Sequence, residues 1–302
     1  MTMPLWDRII LGTAQLQPGY GANGVVPVHA TAESLASDIL PMLTELGVDM
    51  LDTASAYGES ESLIGRHLPD SSGIRIITKP PHWSERPVGR DPGEWLVASL
   101  AESLCRLGRK NVYGFLFHTP AVFEGPEGTM AAEALNAVKA SGLTDKVGVS
   151  IYSSEQMERI LECWTPEIVQ LPVSMVDRRL IADGTIARLA RAGIEIHARS
   201  IFLRGMLLVP SDRLPVHLAA LAPILANIDR KEGGFDLMRR LAACLAAVGT
   251  IPEISKILVG VESASQLRQI HGAAGIAEGM SCDWSSLTVD EPNVLNPGLW
   301  PQ

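Results

Sequence analysis

The sequence predicts an α/β fold, a (β/α)8 TIM barrel with its active site at the C-terminal mouth, formed by residues 1–302 as one domain. Short apolar runs alternate eight times with stretches of helical period, and the loops between them are short. This alternation describes either a closed barrel or a long doubly wound sheet. The barrel is favoured because Gly12, in the first apolar run, does not open the G-x-G-x-x-G fingerprint of a doubly wound nucleotide-binding sheet.

The first two strand–helix pairs follow from apolar runs and a glycine stop. The run over 8–14 predicts strand one, and apolar residues at helical spacing from Thr31 to Gly47 predict a helix with a glycine end. The second strand follows at once and stops at Asp52. The next helix reaches about Leu68.

The remaining elements continue the alternation. The predicted strands are 74–79, 112–118, 146–150, 168–171, 194–200 and 257–261. The predicted helices are 95–107, 130–140, one begun by Ser153, 186–190, and one from Ser263. The spacing of Ser153 and Gln156 suits a capping box. Residues 280–302 are expected to form a C-terminal tail or a lid.

Composition and charge narrow the classes of function. The 25 basic and 34 acidic side chains give a net charge of −9, so nucleic acids and anionic membranes are poor partners, whereas a small anionic ligand held by local donors stays possible. No apolar run reaches the ~18 residues of a membrane helix, and Asp7 and Arg8 interrupt the place of a secretion signal. The four cysteines lie far apart without a C-x-x-C pair. We therefore expect a cytoplasmic protein without a metal site.

Four side chains of chemical interest leave the ends of three successive strands. Asp52 ends strand two, Tyr57 follows it on a short loop, Lys79 ends strand three and His118 ends strand four. All strand ends of a barrel face one mouth. An acid, a phenol, an amine and an imidazole are therefore predicted to converge there.

This set suits the protonation of an alkoxide. Lys79 would ease proton release from Tyr57, because an ammonium stabilises a phenolate whose free pKa is about 10. Asp52 would hold Lys79 in place, and His118 would donate a hydrogen bond to a carbonyl oxygen. Each residue also has a structural interpretation, as a helix cap, a half-buried loop aromatic, a solvated strand end and a turn histidine. Their convergence favours the catalytic interpretation.

Several motifs carry a family resemblance. The strongest are Leu51–Gly58 with Ser60–Glu61, Thr78–Lys79 and Phe117–Pro120. In content and order they resemble the aldo-keto reductase superfamily of NAD(P)H-dependent carbonyl reductases. The segments 11–15, 169–172 and 199–205 are similar to a bacterial branch found among sugar and surface-polysaccharide genes.

The resemblance implies an enzyme that reduces an aldehyde or ketone, expected to be a sugar-like small molecule. Tyr57 would be the general acid, and Asp52, Lys79 and His118 would complete a catalytic tetrad. NADPH is the first expectation for the cofactor, with NADH kept open. A cofactor-bound sensor or regulatory barrel without significant turnover is the alternative. A third class, an isomerase or aldolase with Lys79 as Schiff-base amine, needs a lysine freed of its acidic partner. The oligomeric state stays open.

The resemblance also implies a cofactor site. Its residues are Gly12, Thr13, Ser150, Gln170 and Arg199 at the nicotinamide, Ser200, Phe202, Leu203, Arg204 and Gly205 at the pyrophosphate, and Gly260, Glu262, Ser263 and Gln266 at the adenosine phosphate. The helix beginning near Ser263 would aim free backbone N–H groups at a phosphate, as barrel phosphate sites do.

Four positions bear on how the cofactor is held. Ile151 stands where the family usually has Asn, and Arg199 where an aromatic residue usually stacks on the nicotinamide, although a planar guanidinium can also stack. Glu262 would repel a 2′-phosphate or accept from a 2′-hydroxyl, whereas Arg268 would attract a phosphate. Both charges also fit a solvated helix surface.

The substrate pocket is expected to be lined by aromatic residues of the loops. The candidates are Tyr20, Trp83, Phe202 and the tail Trp284–Trp300. Aromatic rings suit the apolar faces of sugars, but Trp83 and Trp300 also fit the role of packing anchors.

Overall fold

The computed structural model is a closed barrel of eight parallel strands, which confirms the (β/α)8 prediction; it describes residues 3–17, 31–231, 233–280 and 283–301. The strands are β1 (Ile9–Gly12), β2 (Met50–Asp52), β3 (Arg75–Thr78), β4 (Val112–Phe117), β5 (Thr144–Ser150), β6 (Ile168–Pro172), β7 (Glu195–Arg199) and β8 (Lys256–Gly260). β1 pairs with both β2 and β8, with Ile10 opposite Leu258. This closure excludes the doubly wound sheet.

Helices separate consecutive strands throughout the chain. They are α1 (Ala32–Leu46), α2 (Ser60–His67), α3 (Pro92–Leu107), α4 (Gly128–Ala140), α5 (Ser154–Cys163), α6 (Arg179–Ala182), α7 (Thr185–Arg191), α8 (Ala222–Lys231), α9 (Leu237–Gly249), α10 (Ala264–Ala277) and α11 (Pro292–Leu295). The connection from β7 to β8 contains α8, α9 and several short 3-10 turns. In the described ranges, no helix is both long enough and apolar enough to cross a bilayer.

Side-chain caps fix where several helices begin. The Thr31 hydroxyl accepts the Ser34 amide at 3.1 Å, and Gly47 ends α1 with a φ of 73°. The predicted capping box of α5 is altered. Ser153 accepts the Gln156 amide, but the Gln156 side chain accepts the Tyr152 amide at 2.8 Å rather than that of Ser153. The amides of Tyr152 and Gln156 thus both have a side-chain acceptor.

Five strands end earlier than predicted. β3, β4 and β8 each stop one residue short of the predicted 79, 118 and 261, and β1 and β7 stop early for reasons in the backbone. β1 stops at Gly12 because Thr13 has a φ of −113° and a ψ of 12°, which is not an extended conformation, and a 3-10 turn begins at Ala14. β7 stops at Arg199 because Ser200 has a φ of 61°, a left-handed conformation that cannot continue a strand. Both changes occur at the C-terminal mouth.

The barrel interior is apolar in its middle and polar at its N-terminal pole. Ile10, Met50, Ile77, Leu116 and Ile168 fill the middle and are fully buried. At the N-terminal pole Glu195 accepts from Tyr113 at 2.6 Å and from Lys146 at 2.5 Å, and bonds His197 at 2.6 Å. The larger apolar core lies between strands and helices.

One glycine allows two strands to approach closely. A Cβ built on Gly148 of β5 would lie 2.2 Å from the Ile168 carbonyl oxygen, which belongs to the neighbouring β6. Backbone cannot yield as a flexible side chain does. Any larger residue at position 148 must therefore displace the strand pair.

We predict that Gly148→Ala lowers the free energy of unfolding by at least about 2 kcal/mol, because the added methyl overpacks the barrel wall. Gly275→Ala is the matched control. Gly275 is exposed on α10 and a Cβ there has no atom within 4 Å, so this change should raise stability by about 0.5–1 kcal/mol. Urea unfolding measures both, and equal stability of the two variants would contradict the packing argument.

Candidate active site

A buried ion pair joins the ends of β2 and β3. Lys79 Nζ lies 2.5 Å from Asp52 Oδ1 and donates to the Thr53 carbonyl at 3.2 Å. Both side chains are almost fully buried, with exposures of 3% and 2%. The second Asp52 oxygen accepts from Gln170 Nε2 at 2.6 Å, so β6 also supports the pair.

The loop after β2 brings the phenol to this pair. The Ser55 amide donates to the Lys79 carbonyl at 3.1 Å, and the Tyr57 amide closes a turn onto the Ala54 carbonyl at 3.0 Å. Gly58 then takes a φ of 55°, which a residue with a Cβ adopts only at a cost. The direction of the Tyr57 side chain is therefore set by backbone bonds to β3.

The Tyr57 hydroxyl lies beside the imidazole of His118. Its oxygen is 3.4 Å from His118 Nε2, and Lys79 Nζ lies 5.8 Å from the centre of the Tyr57 ring. The His82 ring stacks nearly parallel to that of His118, with ring centres 6.1 Å apart. The four predicted side chains thus share one site at the C-terminal mouth.

Burial governs protonation in this cluster. Burial lowers the pKa of Lys79, and the charge and hydrogen bond of Asp52 oppose this shift without reversing it. Burial, and then the Lys79 charge, lower the pKa of His118 to about 4. The imidazole is therefore neutral near pH 7, and it can donate through only one nitrogen. His118 Nδ1 is buried and has no hydrogen-bond partner among the described residues.

A cavity of about 440 Å³ extends from this cluster along the mouth to the N-terminus of α10. The four side chains of the cluster line it, and so do twelve of the fourteen residues predicted for the cofactor. Those twelve are Gly12, Thr13, Ser150, Gln170, Arg199, Ser200, Phe202, Arg204, Gly205, Gly260, Glu262 and Gln266.

Leu203 and Ser263 are not on the cavity wall. Leu203 is buried in the apolar core. Ser263 is the N-cap of α10, where its hydroxyl accepts the Gln266 amide at 3.2 Å. Helix geometry leaves the amides of Ala264 and Ser265 without intrahelical acceptors. That end of α10 is suited to an anion.

The segment after β7 curls tightly along the cavity. Ser200, Leu203 and Arg204 have φ values of 61°, 48° and 51°, and Gly205 follows at 85°. Left-handed backbone at a residue other than glycine costs on the order of 1 kcal/mol or more, and it concentrates at ligand sites. Five residues of this segment, Ser200, Ile201, Phe202, Arg204 and Gly205, line the cavity.

Arg199 has a structural role that the sequence did not predict. Its Nε donates to the Ser150 hydroxyl at 3.1 Å and its Nη2 to the Ile151 carbonyl at 3.0 Å. Its guanidinium carbon lies 4.0 Å above the centre of the Tyr152 ring. Ser150, predicted for the nicotinamide carboxamide, is thus already an acceptor for Arg199, and Gln170 already donates to Asp52.

Sequence reasoning missed several residues of the wall. They are Ala14, Gln15, Tyr152, Leu208, Val209, Leu237, Leu241, Leu258, Gln269 and Ile270. Gln15 packs so closely on Gly260 that a Cβ there would lie 2.1 Å from Gln15 Nε2. Tyr152 carried one usable signal, because it follows the predicted Ser150 by two residues.

The predicted substrate aromatics divide into three cases. Tyr20 lies outside the described residues. Phe202 lines the main cavity, whereas Trp83 lines a neighbouring cavity of about 350 Å³ that also touches His118. Trp284 is buried in the core, and Trp300 donates to the Val294 carbonyl at 3.2 Å. Pro297 and Gly298 are the tail residues that reach the main cavity.

The residues present fit a nicotinamide dinucleotide. The cavity is elongated and has the proton-donating cluster at one end. The first turn of α10 at the other end offers backbone donors for a phosphate. In the described part of the chain, no group of three or more His, Cys, Asp or Glu side chains is arranged to hold a metal ion.

Comparison with known proteins identifies a family and a relative by sequence. The model of the Aldo/keto reductase family matches residues 8–217. The curated oxidoreductase sirO of Leptosphaeria maculans is 27% identical over 214 residues, which cover 68% of this chain. The match spans 63% of the length of that relative.

Solved structures share the fold. The holo form of the aldo-keto reductase AKR11C1 from Bacillus halodurans has a TM-score of 0.69 and 17% identity, and the match covers 93% of this chain and 89% of that chain. The glycerol dehydrogenase AKR11B4 from Gluconobacter oxydans has a TM-score of 0.65 and 20% identity, with coverage of 91% and 88%. At these identities the likeness shows a common barrel.

The ion pair can be tested by a double-mutant cycle. We predict that Asp52→Asn lowers the free energy of unfolding by about 3–5 kcal/mol, because it leaves the Lys79 ammonium buried without its counter-charge. Adding Lys79→Met should restore at least half of the loss. Denaturant unfolding of both single variants and the double variant measures this. Strictly additive losses would show that the two groups are not coupled.

The pKa of His118 predicts a loss of stability in acid. Its pKa falls from 6.5 to about 4 on folding, so between these values the unfolded chain binds the proton that the folded chain excludes. The free energy of unfolding should therefore fall as the pH drops from 6.5 to 4, by up to about 3 kcal/mol from this residue. Urea unfolding across this window should show a shallower loss in His118→Gln. An identical slope in the variant would contradict the assignment.

Proposed function

The chain belongs to the aldo/keto reductase family, and on that premise we propose that it reduces an aldehyde or ketone to an alcohol at the expense of NAD(P)H. The observation that carries the proposal is the arrangement of the Tyr57 hydroxyl. It lies 3.4 Å from His118 Nε2 and beside the buried Lys79–Asp52 pair. The phenol of Tyr57 lies on one cavity wall with the amine of Lys79 and the neutral imidazole of His118. This arrangement suits the donation of a proton to a developing alkoxide.

Tyr57 is the proposed general acid. The cofactor, when bound, would supply a hydride to the carbonyl carbon. The carbonyl oxygen then takes the Tyr57 proton. The resulting phenolate is stabilised by the Lys79 ammonium, whose nitrogen lies 5.8 Å from the centre of the Tyr57 ring. Asp52 opposes the loss of that charge on burial and fixes the position of the Lys79 nitrogen at 2.5 Å.

His118 is proposed to orient the substrate. Because its pKa is about 4, it is a neutral donor over the physiological range and does not compete with Tyr57 as an acid. With its proton on Nε2, it donates to the carbonyl oxygen that also receives the Tyr57 proton. Two donors then define where that oxygen sits.

The charged residues near the proposed cofactor site bear on whether NADPH or NADH binds better. NADPH is the first expectation from the sequence, but Glu262 lies on the cavity wall whereas Arg268 is exposed and is not among the lining residues. A carboxylate repels a 2′-phosphate and accepts from a 2′-hydroxyl. We therefore propose that NADH binds at least as well as NADPH.

The proposed substrate is a small sugar-like carbonyl compound. The neighbouring cavity shares His118 with the main one and is walled by Trp83, whose indole donates to Glu127 at 2.7 Å. An aromatic face with a carboxylate beside it suits a hydroxylated carbon chain. The tail residues Pro297 and Gly298 support a role of 280–302 in covering the site.

The alternatives predict different chemistry. Lys79 pairs with Asp52 at 2.5 Å, so it is not the free amine that a Schiff-base aldolase or isomerase requires. A sensor needs dinucleotide binding alone, and the complete tetrad favours turnover.

A cytoplasmic location is also part of the proposal, supported by the free thiols of Cys105, Cys163 and Cys244.

We predict that Tyr57→Phe lowers kcat by roughly 10²–10⁴-fold without weakening dinucleotide binding, because it removes only the transferable proton. Oxidation of NADPH or NADH with a panel of aldehydes and aldoses measures turnover, and fluorescence titration measures binding. Tyr113→Phe is the matched control. Tyr113 donates to Glu195 at the N-terminal pole, so this variant should keep its turnover and lose only about 1 kcal/mol of stability.

Two outcomes would contradict this proposal. Turnover by Tyr57→Phe at the parent rate with a good substrate would remove Tyr57 from its role. A parent protein that binds the dinucleotide tightly but reduces no member of the panel would support the sensor.

A further inference from the structure

Arg199 places a positive charge on the wall of the cavity at the end occupied by the tetrad. Its donors reach the Ser150 hydroxyl, the Ile151 carbonyl and the Ser200 hydroxyl at 3.1, 3.0 and 3.2 Å, and its flat face covers Tyr152. Every one of these partners is uncharged. In the described ranges no carboxylate lies within ion-pair distance of this guanidinium.

Lys79 and Arg199 differ in whether a carboxylate pairs with them. Lys79 is buried in the same site, but Asp52 at 2.5 Å neutralises it. Arg199 has no such partner, and its charge contributes to lowering the pKa of both Lys79 and His118. At this end of the cavity Lys79 and Asp52 offset each other, so Arg199 adds a positive charge that no carboxylate of the described residues pairs.

The next step rests on the proposed function. A carbonyl oxygen bonded to Tyr57 and His118 fixes the carbon that accepts the hydride, so the ring that donates the hydride lies at the same end of the cavity. That ring is uncharged when reduced and carries one positive charge when oxidised. The two forms of the dinucleotide therefore meet the Arg199 charge differently.

We propose that Arg199 is a specificity residue that makes the site bind the reduced, uncharged nicotinamide in preference to the oxidised, cationic one. Repulsion between two unit charges several ångströms apart in a half-buried site corresponds to roughly tenfold in affinity. The preference favours loading with the reduced dinucleotide and release of the oxidised one. It thereby favours operation in the direction of carbonyl reduction.

A purely structural role for Arg199 predicts a different result. The guanidinium also ties β7 to the segment after β5, so losing it would loosen the wall for any dinucleotide. Such loosening weakens both redox forms by the same factor. Only the charge alters the ratio of their dissociation constants.

The test is the ratio of Kd for oxidised to reduced dinucleotide, measured by titration calorimetry at pH 7 and low salt without substrate. The parent should bind the reduced form about tenfold more tightly or better. Arg199→Gln should bring the ratio down about tenfold, whereas Arg199→Lys, which keeps the charge, should retain most of it. Arg66→Gln removes the same charge from α2, outside the lining residues of the cavity, and should leave the ratio unchanged.

Each contrary outcome is distinct. Equal affinity of the parent for both redox forms overturns the inference without any variant, so it stays testable even if Arg199→Gln fails to fold. An unchanged ratio in Arg199→Gln, with both constants raised together, assigns Arg199 a structural role only. Failure of the parent to bind either dinucleotide overturns the proposed function itself, and this inference with it.

Discussion

The ion pair between Asp52 and Lys79 is the constraint on which the rest of the site depends. Two opposite charges out of water are tolerable only at close range and with their remaining hydrogen bonds satisfied. Here the contact is 2.5 Å, Gln170 serves the second carboxylate oxygen and the Thr53 carbonyl serves the ammonium. Three strands, β2, β3 and β6, must therefore hold their register at the mouth, and Tyr57 and His118 are arranged around that fixed charge pair.

Barrel closure makes this arrangement possible. Parallel strands all end at the same rim, so residues separated by many tens of positions meet there without long-range specification beyond strand order. The interior supports the rim from below. An apolar middle of Ile10, Met50 and Ile77 separates the site from the polar layer around Glu195, where carboxylate, phenol and ammonium are matched to one another. Both poles of the barrel therefore contain a carboxylate, a phenol and an amine. At the N-terminal pole these groups bond one another and stabilise the barrel, and at the C-terminal mouth they line the cavity.

The two cations at the mouth show how partners decide the use of a charge. Lys79 is paired with Asp52 at 2.5 Å and lies 5.8 Å from the centre of the Tyr57 ring, whereas Arg199 is bound by uncharged oxygens and covers Tyr152. A guanidinium is planar, more weakly hydrated than an ammonium, and carries five donors, so it can bridge two loops and stack at once. These properties explain how Arg199 stands at a position where the family usually has an aromatic ring.

The sequence by itself determined the eight strand–helix pairs, the glycine end of α1, and the meeting of Asp52, Tyr57, Lys79 and His118 at one rim. Hydrophobic periodicity, glycine stops and strand ends can be identified from consecutive residues. The barrel topology then places all strand ends at the same rim. Only the tertiary structure decided that Gln15 packs on Gly260, that Arg199 donates to Ser150, that β7 stops at Arg199, and which residues of the predicted tail, Pro297 and Gly298, reach the cavity. These are contacts and backbone turns set by packing between distant segments, and no local pattern of residues encodes them.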